Sequence, residues 1–143
     1  MSVQVKTRDL DKAPDYNFVT GEVIIKADGR VLYQSTVEVS LFWVTFLELI
    51  EKFVKKKRKT MSGYYHTNFC IDRGKRKDEI MFWIESPDRD ERIGPIHLNK
   101  REFFEKIINC ALSTYKELPK LEGEGGGGYD YFIDHYSELK KYL

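Results

Sequence analysis

The stretch from Ser40 to Lys57, SLFWVTFLELIEKFVKKK, limits the fold of this chain more than any other segment. Trp43, Phe46, Leu47, Ile50, Phe53 and Val54 recur at helical spacing, while Thr45, Glu48, Glu51, Lys52 and Lys55 fall on the other side. Such a helix must bury one face against another element. Ser40 reads as its N-cap, Glu48/Lys52 and Glu51/Lys55 as pairs four residues apart, and the last lysines sit where the helix dipole favours positive charge.

The segments on either side supply the sheet. Asn17 to Lys26 and Val31 to Val39 are rich in β-branched and aromatic residues, and the Asp28-Gly29 pair between them predicts a β-hairpin. After the helix, Thr60 to Gly63 reads as a loop. Three strands follow, Tyr64 to Ile71, Glu79 to Glu85 and Arg92 to Leu98, joined by short charged connectors as in an antiparallel meander. Pro95 places the last of them at a sheet edge or at a bulge. Asn99, with Glu102 three residues on, opens a second helix whose Phe103, Phe104, Ile107, Ile108, Ala111, Leu112, Tyr115 and Leu118 keep helical spacing until Pro119.

The expected class is therefore α+β, a five-stranded, mostly antiparallel sheet in ββαβββα order with two helices on one face. The domain is expected to span residues 1–121, followed by a glycine-rich linker at 122–128 and a C-terminal tail helix at 129–143. Phe132, Tyr136, Leu139 and Leu143 share one face of that tail. A helix so short is not stable alone, so it is expected to dock, in cis or on another chain.

Charge and composition exclude several classes. With 24 Lys and Arg against 23 Asp and Glu, the formal net charge is +1, without the basic excess that draws a domain to nucleic acid. The N-terminus lacks a basic start followed by an apolar run, and no segment is apolar enough for a bilayer, so a cytoplasmic protein with no membrane partner is expected. Cys70 and Cys110 stand alone in a strand and a helix pattern and read as reduced, packed thiols.

No catalytic or cofactor motif stands out, and no cofactor or metal is expected. His66 and Cys70 share a strand face but lie about 13 Å apart at ~3.3 Å per residue, too far to share one zinc ion. Cys70 beside His97 would make a nucleophilic pair, yet Cys70 lacks the turn or helix N-terminus that activates a thiolate. Glu85, Asp88, Asp90 and Glu91 are interleaved with Arg89 and Arg92 and read as a solvated turn. The basic runs Lys55 to Lys59 and Arg73 to Lys77 fall at opposite ends of the strand beginning at Tyr64, about 25 Å apart, which argues against one phosphate-binding patch.

The second face of the sheet is the more informative feature. If Tyr65, Phe69, Ile71, Ile80, Phe82, Ile84, Ile96 and Leu98 face the helices, the other face carries Tyr64, His66, Asn68, Met81, Trp83, Glu85, Ile93 and His97. A merely solvated face seldom combines Trp, Met and Tyr. Either the tail helix or a protein partner is expected to cover it, with Tyr64, His66, Met81, Trp83, Ile93 and His97 as the contact residues.

The element order, the capped Phe-rich second helix and the small format resemble single-domain bacterial immunity proteins of polymorphic toxin systems, over about Asn17 to Leu118. That resemblance is architectural and carries no functional residue over. It implies a non-enzymatic protein that binds and blocks a toxin domain, although the near-neutral charge departs from the acidic character of many nuclease-blocking members. The alternative from the residues themselves is a small enzyme or ligand-binding domain with a pocket between sheet and helices.

Overall fold

The computed structural model describes residues 2–12, 19–122, 134 and 136–139. Its elements are β1 (Val3–Lys12), β2 (Val19–Ala27), β3 (Arg30–Glu38), α1 (Val39–Lys56), β4 (Thr60–Tyr64), β5 (Thr67–Arg73), β6 (Glu79–Ser86), a 3-10 turn (Pro87–Arg89), β7 (Glu91–Asn99) and α2 (Lys100–Glu122). The class is α+β. The strands, however, form two antiparallel sheets, β1-β2-β3 and β4-β5-β6-β7, in place of the single five-stranded sheet expected.

Two strands make the difference. In β1, Val3, Val5 and Thr7 alternate with Gln4, Lys6 and Arg8, and the strand pairs with β2 so that Val5 stands opposite Ile25 and Thr7 opposite Val23. The other is β4, which occupies the expected loop. It folds back on β5 with Thr60 opposite Ile71 and Tyr64 opposite Thr67, so the strand expected from Tyr64 to Ile71 is a hairpin turning at Tyr65 and His66. Met61, Ser62 and Gly63 carry little β-propensity, which leaves that strand with a weak local signal.

Other elements follow the local rules closely. Asp28 and Gly29 adopt φ of 49° and 79°, the left-handed pair that a tight hairpin turn demands. At the edge of the second sheet, β7 bulges where Gly94 and Pro95 fall between Ile93, paired with Ile84, and Ile96, paired with Phe82.

Helix α1 starts one residue before Ser40, because β3 runs straight into it, and no side chain caps it. The Glu38 amide at the N-cap instead donates to the Tyr64 hydroxyl at 2.9 Å, and the Ser40 carbonyl accepts the Tyr115 hydroxyl at 2.6 Å. Glu51 and Lys55 pair as expected at 2.6 Å, whereas Lys52 reaches across to Ser62 on β4. At the start of α2, Asn99 accepts the Glu102 amide at 2.9 Å, the first half of a capping box. The second half is diverted. Glu102 accepts the Val3 amide at 3.1 Å and so ties β1 to α2. The backbone of α2 continues past Pro119, where a stop was expected, to Glu122.

Both helices contact both sheets, and one aromatic train runs through the interior. Tyr33 of β3 stacks on Phe42, Phe42 and Phe46 meet Phe69 of β5, Phe82 of β6 meets Phe103, and Phe104 closes on Phe53. Each such side chain contributes about 1.5–3 kcal/mol by leaving water. Leu139 is fully buried in this same core, with Tyr136 packed against it. The expected linker from residue 123 onward and the remainder of the tail lie outside the described residues. Among the described residues, no helix is long and apolar enough to cross a membrane.

Candidate functional site

Because β4 pairs antiparallel with β5, the end of α1 and the β5–β6 turn arrive at the same end of the second sheet. Lys57 closes α1 in a left-handed conformation, φ 53°, its amide donating to the Phe53 carbonyl at 2.7 Å. In the turn, the Gly74 amide donates to the Glu79 carbonyl at 2.9 Å and the Glu79 amide to the Arg76 carbonyl at 3.1 Å. The Lys100 amide then donates to the Asp78 carbonyl at 2.7 Å, fastening the first turn of α2 beside them. Three chain segments thus line one open surface cavity of about 630 Å³.

That cavity is strongly basic. Lys57 comes from α1, Arg73, Lys75, Arg76 and Lys77 from the β5–β6 turn, and Lys100 and Arg101 from α2; Phe53, Val54 and Phe104 form its apolar wall. Arg101 is paired with Glu105 at 3.0 Å. None of the other six cations is salt-bridged to a carboxylate among the described residues. The separation of about 25 Å expected between the two basic runs is therefore wrong: Lys57 of the first run lines the same cavity as Arg73, Lys75, Arg76 and Lys77 of the second, because the chain reverses at Tyr65 instead of running on from Tyr64.

Glu79 is the single carboxylate in the lining. It accepts the Lys75 amide at 3.1 Å and lies 2.9 Å from His97 Nδ1. The Lys75 amide, and after it the His97 hydrogen bond, hold its carboxyl below the usual range. Gly74 makes room for this arrangement, since a Cβ there would lie 2.6 Å from Glu79 Cγ. The lip of the cavity already stabilises one negative charge.

The residues expected on the outer sheet face are divided by the structure. Met81, Trp83 and His97 do share it, with Met81 opposite His97 and Trp83 opposite Cys70. Tyr64 and Ile93 do not. The reversal at Tyr65 turns Tyr64 into the core beside Phe42 and leaves Tyr65 74% exposed, and the β7 bulge turns Ile93 inward beside Ile84. His66 lies in the exposed turn, 2.6 Å from Asp88.

Trp83 is 4% exposed yet lies outside the main core that includes Leu139. Its indole N–H donates to Glu85 at 2.8 Å, while Lys59 and Arg92 lie over the ring at 5.6 and 5.2 Å. The two long side chains lay their stems and charges over the ring on the outer face.

Cys70 and Cys110 are free thiols. Burial first, then the charge of Glu85, pushes Cys70 up to about 11, and burial raises Cys110 as well. Cys110 lies 3.4 Å from Thr7 Oγ1, which also accepts the Trp43 indole N–H at 3.2 Å, so the thiol belongs to a packed junction of β1, α1 and α2. Among the described residues, no three His, Cys, Asp or Glu side chains gather as a metal-ligand set.

Comparison of the chain with protein-family models, with curated proteins and with solved structures finds no match.

Proposed function

We propose that this chain is a non-enzymatic binding domain and that its working site is the basic cavity, where it takes an anionic ligand. The observation that carries the reading is local charge segregation: a chain of net charge +1 gathers seven cations against one carboxylate around a single concavity. A cleft lined by one sign of charge focuses its field and concentrates counter-ions. Its volume lies in the range of small-molecule sites, about 300–1,000 Å³. A binding role also agrees with the thiols, whose raised pKa values leave them protonated at neutral pH and poor as nucleophiles.

The test is a melting series in chloride, acetate, citrate and phosphate at constant ionic strength. Multivalent anions stabilise folded proteins weakly by exclusion from their surface, so a Lys75→Glu/Arg76→Glu variant is the control. The reading expects multivalent anions to raise the melting temperature of the natural chain well beyond that of the variant. Equal responses in both proteins would contradict it.

A second reading is favoured by Met61 and Tyr65, which are 50% and 74% exposed beside the outer face of the second sheet. There a protein partner would dock, a toxin domain if the resemblance to immunity proteins extends to function. Met61→Lys with Tyr65→Lys would abolish such a complex and leave anion binding intact, which separates the two readings.

A further inference from the structure

We infer that the ligand of the basic cavity is a compact polyphosphate, a small molecule with two or three phosphate groups in succession, and that Glu79 excludes singly charged anions from it. The inference rests on reading the cavity as an anion site.

Charge density selects phosphate. Seven cations against Glu79 and against Glu105, which pairs with Arg101, leave a formal excess of five positive charges around about 630 Å³. A terminal phosphate ester brings about −1.5 to −2 charges in one compact group, whereas a carboxylate brings one. Successive phosphates therefore bring more negative charge into so small a volume than the same number of carboxylates. The side chains suit a polyphosphate as well, because Arg73 and Arg76 present planar forks for paired phosphate oxygens while Lys57, Lys75 and Lys100 act as mobile point charges.

Glu79 supplies the discrimination. Its carboxylate is covalently attached and already accepts the Lys75 amide, so a singly charged anion competes with a resident of equal charge. A ligand of higher charge gains from the remaining cations what it loses to Glu79. The cavity shape also argues against a nucleic acid. Duplex binding needs cations tracking a backbone over many phosphates, and here they close around one concavity at the end of a sheet.

The experiment is calorimetric titration of the full chain, in moderate salt, with inorganic tripolyphosphate, a nucleoside triphosphate, polyglutamate and a short DNA duplex. Tripolyphosphate is expected to bind one per chain and to compete with the nucleoside triphosphate. Tighter binding of the nucleoside form would add a contact with the Phe53, Val54 and Phe104 wall; equal binding would mean that phosphate alone is read. Lys75→Gln with Lys77→Gln should weaken tripolyphosphate about tenfold or more, as loss of charge-assisted contacts does. Lys6→Gln with Lys26→Gln, on the outer face of the first sheet, should leave it unchanged, and circular dichroism would verify that both variants fold. Equal weakening by both pairs would show diffuse charge attraction and overturn the inference. Binding of polyglutamate without tripolyphosphate would overturn it but preserve the anion site, and binding of the duplex alone would replace it with a nucleic-acid surface. Failure of every ligand would remove the anion reading too.

Discussion

Thr60 stands directly opposite Ile71 in the β4–β5 ladder, and this pairing brings the end of α1 beside the β5–β6 turn. Neighbouring strands are about 4.8 Å apart, so Lys57 and Arg73, each a few residues beyond that pair, are held at one end of the sheet. The basic cavity is a consequence of strand pairing. Its cations come from segments widely separated in the chain.

Removing the charge of Glu79 should tighten anion binding. Glu79→Gln keeps an oxygen to accept the Lys75 amide while cancelling the repulsion between carboxylate and ligand. Calorimetry is expected to show affinity for tripolyphosphate rising several-fold. A fall would mean that the carboxylate works mainly as a brace for the turn.

The missed half of the site has a specific physical origin. Helix α1, the β2–β3 hairpin, the Asn99 cap and the inward set Phe69, Ile71, Ile80, Phe82 and Ile84 were all legible, because each follows from local periodicity or turn chemistry. Lys100 and Arg101 carry no local signature of a site: the pairing of Glu79 with Asn99 and the Lys100 to Asp78 hydrogen bond set them beside the β5–β6 turn. The hairpin at Tyr65 was hidden by a non-glycine residue at φ 51°, where no Asn-Gly or Asp-Gly signal marks a turn. By contrast, β1 has a local signature, the alternation of Val3, Val5 and Thr7 with Gln4, Lys6 and Arg8. The cover over Trp83 depends on Lys59 and Arg92, whose reach across the sheet has no sequence signature.

Lys59→Ala with Arg92→Ala should uncover Trp83 without unfolding the chain. Acrylamide quenching of tryptophan emission is expected to rise in that variant, measured in a Trp43→Phe background so that Trp83 alone reports. Unchanged quenching would mean that something other than these two side chains shields the ring.

Leu139 should contribute to the main core. As a fully buried side chain, its replacement in Leu139→Ala is expected to cost about 2–5 kcal/mol in urea unfolding. A change below about 0.5 kcal/mol, typical of a surface site, would contradict its burial.

Cys70 should resist thiol reagents until the protein unfolds. Its folded pKa of about 11 lies above the ordinary 9.0, so between those values the unfolded chain loses a proton that the folded chain keeps. The contribution of this thiol to stability is therefore intact below pH 9 and declines as pH rises toward 11. Cys70→Ala should lessen that alkaline decline in melting experiments, and an identical decline in the variant would contradict the assignment.

The most direct test of the anion site is a backbone amide NMR titration of the full chain with tripolyphosphate. The account predicts shifts concentrated at Lys57, Gly74 to Lys77, Lys100 and Arg101, saturating together at one ligand per chain. Shifts centred instead on Met61, Trp83 and the outer sheet face, or none at all at the cavity, would contradict it.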